Sequence, residues 1–164
     1  MTGLKSMWAA VAAAGLVSVI AIAQVPEAPL KKDAEWHNQQ ALYLLELKSE
    51  DDWRTTPSGL RYRRVKEGLG DARPSPTDTV TIHYTGTFID GTEFDSSVSR
   101  GEPATFPLPK LIKGWQEGVP LMTVGDTYEF AIPYHLAYGA KGKGPIPGGA
   151  TLLFTIELIG IGGQ

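Results

Sequence analysis

The chain contains no cysteine, which excludes disulfides, thiol nucleophiles and thiolate metal sites. Histidine is scarce. His37, His83 and His135 stand far apart, and no H-x-x-x-H or HExxH spacing is present to hold zinc. A basic surplus is missing too. Fifteen Lys and Arg against eighteen Asp and Glu leave a formal net charge of -3, which argues against a nucleic-acid partner, since such proteins present a basic face. Ser96-Ser97 lacks the G-x-S-x-G elbow of a serine hydrolase. Glu93 and Asp95 flank Phe94 two residues apart, a weak basis for a paired-carboxylate mechanism.

Apolar runs are short except at the start. Lys5 precedes an apolar stretch from Met7 to Ile22, and Ala21-Ile22-Ala23 fits a small-x-small cleavage site, with Gln24 as the new N-terminus. Residues 1–23 therefore read as a signal peptide, and the mature chain as periplasmic or secreted. The alternative is a retained inner-membrane anchor, because the run sits at the short edge of the roughly 17–25 residues that span a bilayer. Either way the domain lies outside the cytoplasm, and the membrane is a partner only if the segment is uncleaved. No cysteine follows the run, so a bacterial lipoprotein anchor is excluded.

The remainder can bury a core: 42% of residues are hydrophobic and 20% charged, outside the range of disordered chains. Nineteen Gly and twelve Pro predict many turns and short elements. Residues 24–32 read as a Pro-punctuated linker. Residues 33–49 read as a helix capped by Asp33, ending near Lys48, with Trp36, Tyr43, Leu44 and Leu47 on an apolar stripe that needs a partner surface. Residues 24–54 thus form a linker and helical extension, and 55–164 the main domain.

Within that domain, residues 55–59 form a turn. Residues 60–66 are a strand whose phase slips between Tyr62 and Val65, the mark of a bulge. Residues 79–88 alternate, with Val80, Ile82 and Tyr84 on one face. Asp90-Gly91 signals a hairpin, and residues 92–94 and 104–107 are extended. Ile112, Trp115, Val119 and Met122 share one face of a short helix that Pro120 interrupts. Residues 127–132 and 151–161 alternate again. The pattern predicts an α+β fold: a twisted antiparallel sheet of about five strands curled around one short helix that buries Trp115.

The loop AYGAKGKGPIPGGA, residues 137–150, is rich in glycine and carries Lys141 and Lys143. It is not a phosphate cradle. A P-loop needs G-x-x-x-x-G-K-[ST] leading into a helix, whereas Gly144 stands at the hydroxyl position and Pro145 and Pro147 forbid a helix. Its lysines read as solvated loop charges. Tyr138 is the informative residue, because a large ring on a glycine-rich loop has no ordinary core to enter, and such loops carry function. Tyr84, Phe94, Phe106, Trp115, Tyr138 and Phe154 come from six separate segments, with Asp95 beside Phe94. They read as an aromatic site with isolated polar groups, and no cofactor or metal is called for.

Four stretches in order, VTIHYTGTFIDGTEFDSS (80–97), RGEPATF (100–106), LIKGWQEGVPLM (111–122) and AYGAKGKGPIPGGATLLFTIELIGI (137–161), together with TTPSGLRYRRVKEG (55–68), resemble the FKBP-type peptidyl-prolyl isomerases, in their bacterial secreted, Mip-like branch. The resemblance covers roughly residues 56–162. It implies the FKBP fold, a twisted antiparallel sheet on a short helix with an N-terminal helical extension here, and acceleration of X-Pro rotation in unfolded or partly folded polypeptides. Trp115 would floor the prolyl pocket, and Tyr84, Phe94, Phe106, Leu111, Ile112 and Phe154 would wall it. Tyr138 would donate its hydroxyl to a substrate carbonyl, and Ile146 would cap the pocket. Asp95 would stand at the rim, held by Arg100 and the Tyr84 hydroxyl. Catalysis would rest on Asp95, Tyr138 and Trp115.

The resemblance also implies macrolide inhibitors as ligands and a monomer or weak dimer, since only residues 33–53 stand where the family has a long dimerising region. A non-catalytic chaperone using the same pocket is the alternative reading. The chain departs from the family at Ala104, where many members carry an aromatic, at Pro120, and in a shorter loop tip without the frequent histidine. These departures bear on peptide preference and macrolide affinity.

Overall fold

The computed structural model describes residues 30–162; the signal segment read over residues 1–23 lies outside them. Helix α1 spans Leu30–Glu46. It starts three residues before the expected cap, so Asp33 lies in its first turn, where a carboxylate still favours the positive end of the helix dipole. No Pro or Gly stands between Leu30 and Asp33 to stop the helix earlier in the chain. A short 3₁₀ turn, Ser49–Asp51, follows. Among the described residues no helix is long and apolar enough to cross a membrane.

Among the described residues seven strands, not about five, make one antiparallel sheet: β1 (Arg54–Thr55), β2 (Arg61–Lys66), β3 (Thr79–Thr87), β4 (Glu93–Ser96), β5 (Ala104–Pro107), β6 (Thr127–Ile132) and β7 (Leu152–Ile161). Their order is β1-β2-β6-β7-β3-β4, with β5 also paired to β3. The two-residue β1 is too short to show a period, and β4 and β5 divide one edge of β3 between them, which raises the count. The slip expected in β2 is present: its register against β6 shifts between Arg64 and Lys66.

Between β4 and β5 the chain makes a single helical turn, α2 (Ser97–Arg100). The Ser96 hydroxyl accepts the Ser99 amide at its start, and Gly101, at φ 81, closes it in the left-handed region that glycine occupies at no steric cost. Ser97 is fully buried, and its hydroxyl accepts the Tyr84 amide at 2.8 Å and bonds His83 Nδ1 at 3.0 Å. This short turn ties the edge of the sheet to the backbone of Tyr84.

Helix α3 (Lys113–Gly118) crosses the concave face and passes into a 3₁₀ turn, Val119–Leu121, at Pro120. It lies against β6 because Gly114 and Gly118, one turn apart, face that strand. A Cβ on Gly114 would stand 2.5 Å from Ile132, and one on Gly118 2.6 Å from the Phe130 ring. The core fills the space between: Val80, Ile82, Val119, Met122, Phe130, Ile132, Leu152, Ile156 and Leu158 are all nearly or wholly shielded from solvent.

Helix α1 packs on its own domain. The Trp36 indole N–H donates to the Gly148 carbonyl at 3.2 Å. Gln40 is buried, and its Oε1 accepts the Thr151 amide at 2.9 Å. Leu42 and Leu45 remain exposed on the outer side.

The close approach of α3 sets an expectation. Gly118→Ala adds one methyl against a ring that is 2% exposed and has no room to yield. It should destabilise the domain by about 1–3 kcal/mol, read as a lower urea midpoint with unchanged slope.

Candidate active site

The sheet curls over α3 so that inward rings of three strands meet one indole. Tyr84 of β3, Phe106 of β5 and Phe154 of β7 surround Trp115 of α3, with centroids 5.2, 6.3 and 5.1 Å away and interplanar angles of 79°, 73° and 86°. Edge-to-face contacts of this kind set the positive ring edge on the negative ring face and add about 0.5–1.5 kcal/mol each beyond burial. The indole N–H is buried with no hydrogen-bond acceptor among the described residues, so Trp115 is seated by ring packing alone.

Above this floor opens a cavity of about 410 Å³, bordered by Tyr84, Phe94, Asp95, Phe106, Lys110, Leu111, Ile112, Trp115, Tyr138, Lys143 and Phe154. Its size is that of a small-molecule or side-chain site. Phe94 and Asp95 are consecutive, yet both border it. The register of β4 against β3 skips Phe94, pairing Asp95 with Gly86 and Glu93 with Thr87, and a bulge turns neighbouring side chains to one side. Gly86 completes the wall. A Cβ there would stand 2.7 Å from both Phe94 and Phe154, so those two rings meet at 5.6 Å only over a glycine.

Asp95 is held at the rim. The Tyr84 hydroxyl donates to its Oδ2 at 2.5 Å, Arg100 of α2 donates to its Oδ1 at 2.5 Å, and Arg100 also donates to the Tyr84 hydroxyl at 3.0 Å. Burial raises the Asp95 carboxyl, but these two donors and the guanidinium charge outweigh it and hold the group below the ordinary carboxylate range. The same arrangement pushes the Tyr84 phenol up, through burial and then through its bond to Asp95. Tyr138 is raised by burial and by the facing Asp95 charge. At neutral pH the cavity therefore holds one carboxylate and two protonated phenols.

Tyr138 reaches the cavity from a loop that folds back on itself. The Gly149 amide donates to the Gly139 carbonyl at 3.0 Å, and Lys143 and Ile146 exchange both backbone hydrogen bonds at 2.9 and 3.0 Å. The fold-back needs Gly142, which has φ 73 and leaves no space for a Cβ beside the Ile146 carbonyl.

Of the residues singled out in the sequence, Trp115, Tyr138, Asp95, Tyr84, Phe94, Phe106, Leu111, Ile112 and Phe154 all border this one cavity, and Arg100 stands behind Asp95. Ile146 does not border it. It is 7% exposed and packs into the core. Lys143, expected as a solvated loop charge, is exposed but borders the cavity, with its ammonium 5.8 Å from the Tyr138 ring centre. Lys110 and Gly86 were not anticipated. Lys110 directly precedes Leu111-Ile112, a signal that was available, whereas the need for Gly86 depends on rings brought together from two other strands. Glu93 turns away and accepts from the Ser99 hydroxyl at 2.9 Å, so it forms no carboxylate pair with Asp95.

A second cavity, of about 340 Å³, lies toward α1, bordered by Tyr43, Leu47, Trp53, Thr85, Thr87, Thr155 and the Arg63–Glu129 ion pair among others. Phe130 and Phe154 also border it, but the Trp115 indole, Asp95 and Tyr138 do not. Among the described residues no group of three His, Cys, Asp or Glu side chains is placed to hold a metal.

Comparison with known proteins places this geometry. Residues 70–159 match the family model of the FKBP-type peptidyl-prolyl cis-trans isomerases. The chain is 49% identical over 141 residues to an FKBP-type peptidyl-prolyl cis-trans isomerase FkpA of Aeromonas hydrophila, covering 85% of this chain and 52% of that one. It is 49% identical over 106 residues to the outer membrane protein MIP of Legionella longbeachae, covering 64% and 45%. Among solved structures, FkpA from Escherichia coli superposes with a TM-score of 0.75 at 40% identity, covering 81% of this chain and 62% of that one. AtFKBP13 does so with 0.61 at 36% identity, covering 66% and 97%. The chain spans about half the length of the curated relatives it matches. With an indole floor ringed by Tyr84, Phe106 and Phe154 and a family match across the sheet that carries them, the chain belongs to the FKBP-type peptidyl-prolyl cis-trans isomerases.

Proposed function

We propose that the protein is a peptidyl-prolyl cis-trans isomerase that accelerates X-Pro rotation in unfolded or partly folded polypeptides outside the cytoplasm. The observation that carries this is the cavity floored by Trp115, walled by rings and bordered by Tyr138. The names of the relatives support it. Residues 1–23 act in this reading as a cleaved signal peptide, 24–54 as a linker and helical extension, and 55–164 as the isomerase domain. Because Trp36 and Gln40 are engaged with the chain's own loop, the protein works as a monomer or weak dimer. A macrolide with a proline-sized ring would compete for the same cavity.

The chemistry needs no covalent step. Amide resonance opposes twisting of the C–N bond by about 18–20 kcal/mol, and uncatalysed exchange takes tens to hundreds of seconds. Resonance is lost in the twisted state, which is less polar than the planar imide and loses less on leaving water. An apolar cup therefore binds the twisted state better than the ground state, and a thousandfold to millionfold acceleration needs only about 4–8 kcal/mol of such differential binding. Trp115 and its ring neighbours receive the prolyl ring. Tyr138 donates to a substrate carbonyl and holds one side of the bond while the other turns. Asp95 contributes a fixed negative charge at the rim, and Arg100 and Tyr84 position it. None of these groups transfers a proton.

Two outcomes follow. Tyr138→Phe should lower kcat/KM about tenfold, the worth of one hydrogen bond gained in the transition state, with a melting temperature within about 2 °C of the parent. Trp115→Ala should abolish activity and also cost about 3–5 kcal/mol of stability. A protease-coupled assay on short X-Pro peptides, paired with thermal and urea unfolding, reads both, and a Tyr138→Phe variant with full rate would refute the donor role.

The pH dependence is the third expectation. Asp95 is depressed and both phenols are raised, so kcat/KM should be flat from about pH 5 to 9. On the acid side the Asp95 contribution, present above the ordinary carboxylate range, is lost only as pH falls through its depressed folded value. A bell-shaped profile centred near neutrality would contradict a mechanism without proton transfer.

A further inference from the structure

We propose that Lys110 and Lys143 set the substrate preference of this site, favouring prolines that have Asp or Glu as an adjacent residue. The proposal rests on the isomerase reading and adds a substrate class to it. The two lysines border the cavity from different elements. Lys110 ends the 3₁₀ turn Leu108–Lys110 that leads to Leu111 and Ile112, while Lys143 stands on the loop that carries Tyr138. Among the described residues neither has a carboxylate within salt-bridge distance. The one carboxylate on the cavity wall, Asp95, is already engaged by Arg100 and the Tyr84 hydroxyl. The mouth thus presents two unmatched positive charges on a chain whose formal net charge is -3.

A prolyl ring seated over Trp115 leaves its neighbouring residues at this mouth. Lys143 is the better fixed of the two: its backbone is pinned in a tight turn by two hydrogen bonds to Ile146, and its ammonium stays by the Tyr138 ring. A carboxylate next to the proline would meet these charges, and a lysine there would be repelled. Each exposed ion pair changes an equilibrium by about 1.5- to fivefold, so the pair should favour an acidic neighbour by about three- to tenfold. The effect is local, because the net charge of the whole chain acts at longer range in the opposite sense.

The test measures kcat/KM for the full chain on two peptide series, one with Glu, Gln or Lys before the proline and one with the same residues after it. Each is run at about 0.01 M and about 1 M salt, where screening lengths are about 30 and 3 Å. In at least one series the order should be Glu over Gln over Lys, with Glu over Gln by about three- to tenfold at low salt and near unity at high salt. The doubly substituted Lys110→Glu, Lys143→Glu protein should reverse the order, read as a ratio within that protein so that any change in its overall rate cancels. Equal rates for Glu and Gln in both series, or an order that survives the reversal of charge, overturns the proposal and leaves the isomerase reading standing. Absence of isomerisation on the neutral Gln peptides removes the isomerase reading itself, and this proposal with it.

Discussion

The structure depends on how one indole is held. Trp115 sits edge-to-face with Tyr84, Phe106 and Phe154, and its indole N–H has no hydrogen-bond partner among the described residues. Its position is therefore set by the rings of three strands and by the height of α3 above the sheet. That height follows from Gly114 and Gly118, which let the helix backbone lie against Ile132 and Phe130. The twist of the sheet, the two helix glycines and the aromatic floor form one constraint: the cavity exists because the helix comes close enough for three strands to wrap it.

Polar groups at this site serve to hold shape and charge. Asp95, Tyr84 and Arg100 form a closed triangle of hydrogen bonds, whose ionisation is fixed across the neutral range. The turn that delivers Arg100 also delivers Ser97, which binds the Tyr84 backbone. Ring position and rim charge are thus coupled through four residues of α2. The loop with Tyr138 is steadied from the far side, where α1 hydrogen-bonds Gly148 and Thr151, and Gly149 in turn hydrogen-bonds Gly139 beside Tyr138. The helical extension therefore supports the working face without touching the cavity.

Much of this was legible in the residues. The alternation in 79–88, 127–132 and 151–161 marks strands that bury one face and so must show a period of two, and those strands are present nearly to the residue. The three-four-three spacing around Trp115 located α3, and the odd placement of Tyr138 on a glycine-rich loop pointed to the candidate site, whose cavity it borders. What was missed lacks periodicity. Helix α2 is one turn, signalled only by Ser96 and Gly101 at its ends. Strand β1 is two residues and is defined by its partner. Ile146 is buried in the core and Lys143 borders the cavity, both on a loop whose backbone fold-back no side-chain pattern encodes. Gly86 is required by rings distant from it in the chain.

The central claim is that the prolyl ring rests on Trp115, and isotope-filtered NMR on a complex with a peptide labelled at proline tests it most directly. The account predicts NOEs from the proline ring protons to the Trp115 indole and to the rings of Tyr84 and Phe106, which border the first cavity and not the second. Proline contacts confined to Tyr43 and Trp53, in the second cavity beneath α1, would contradict it.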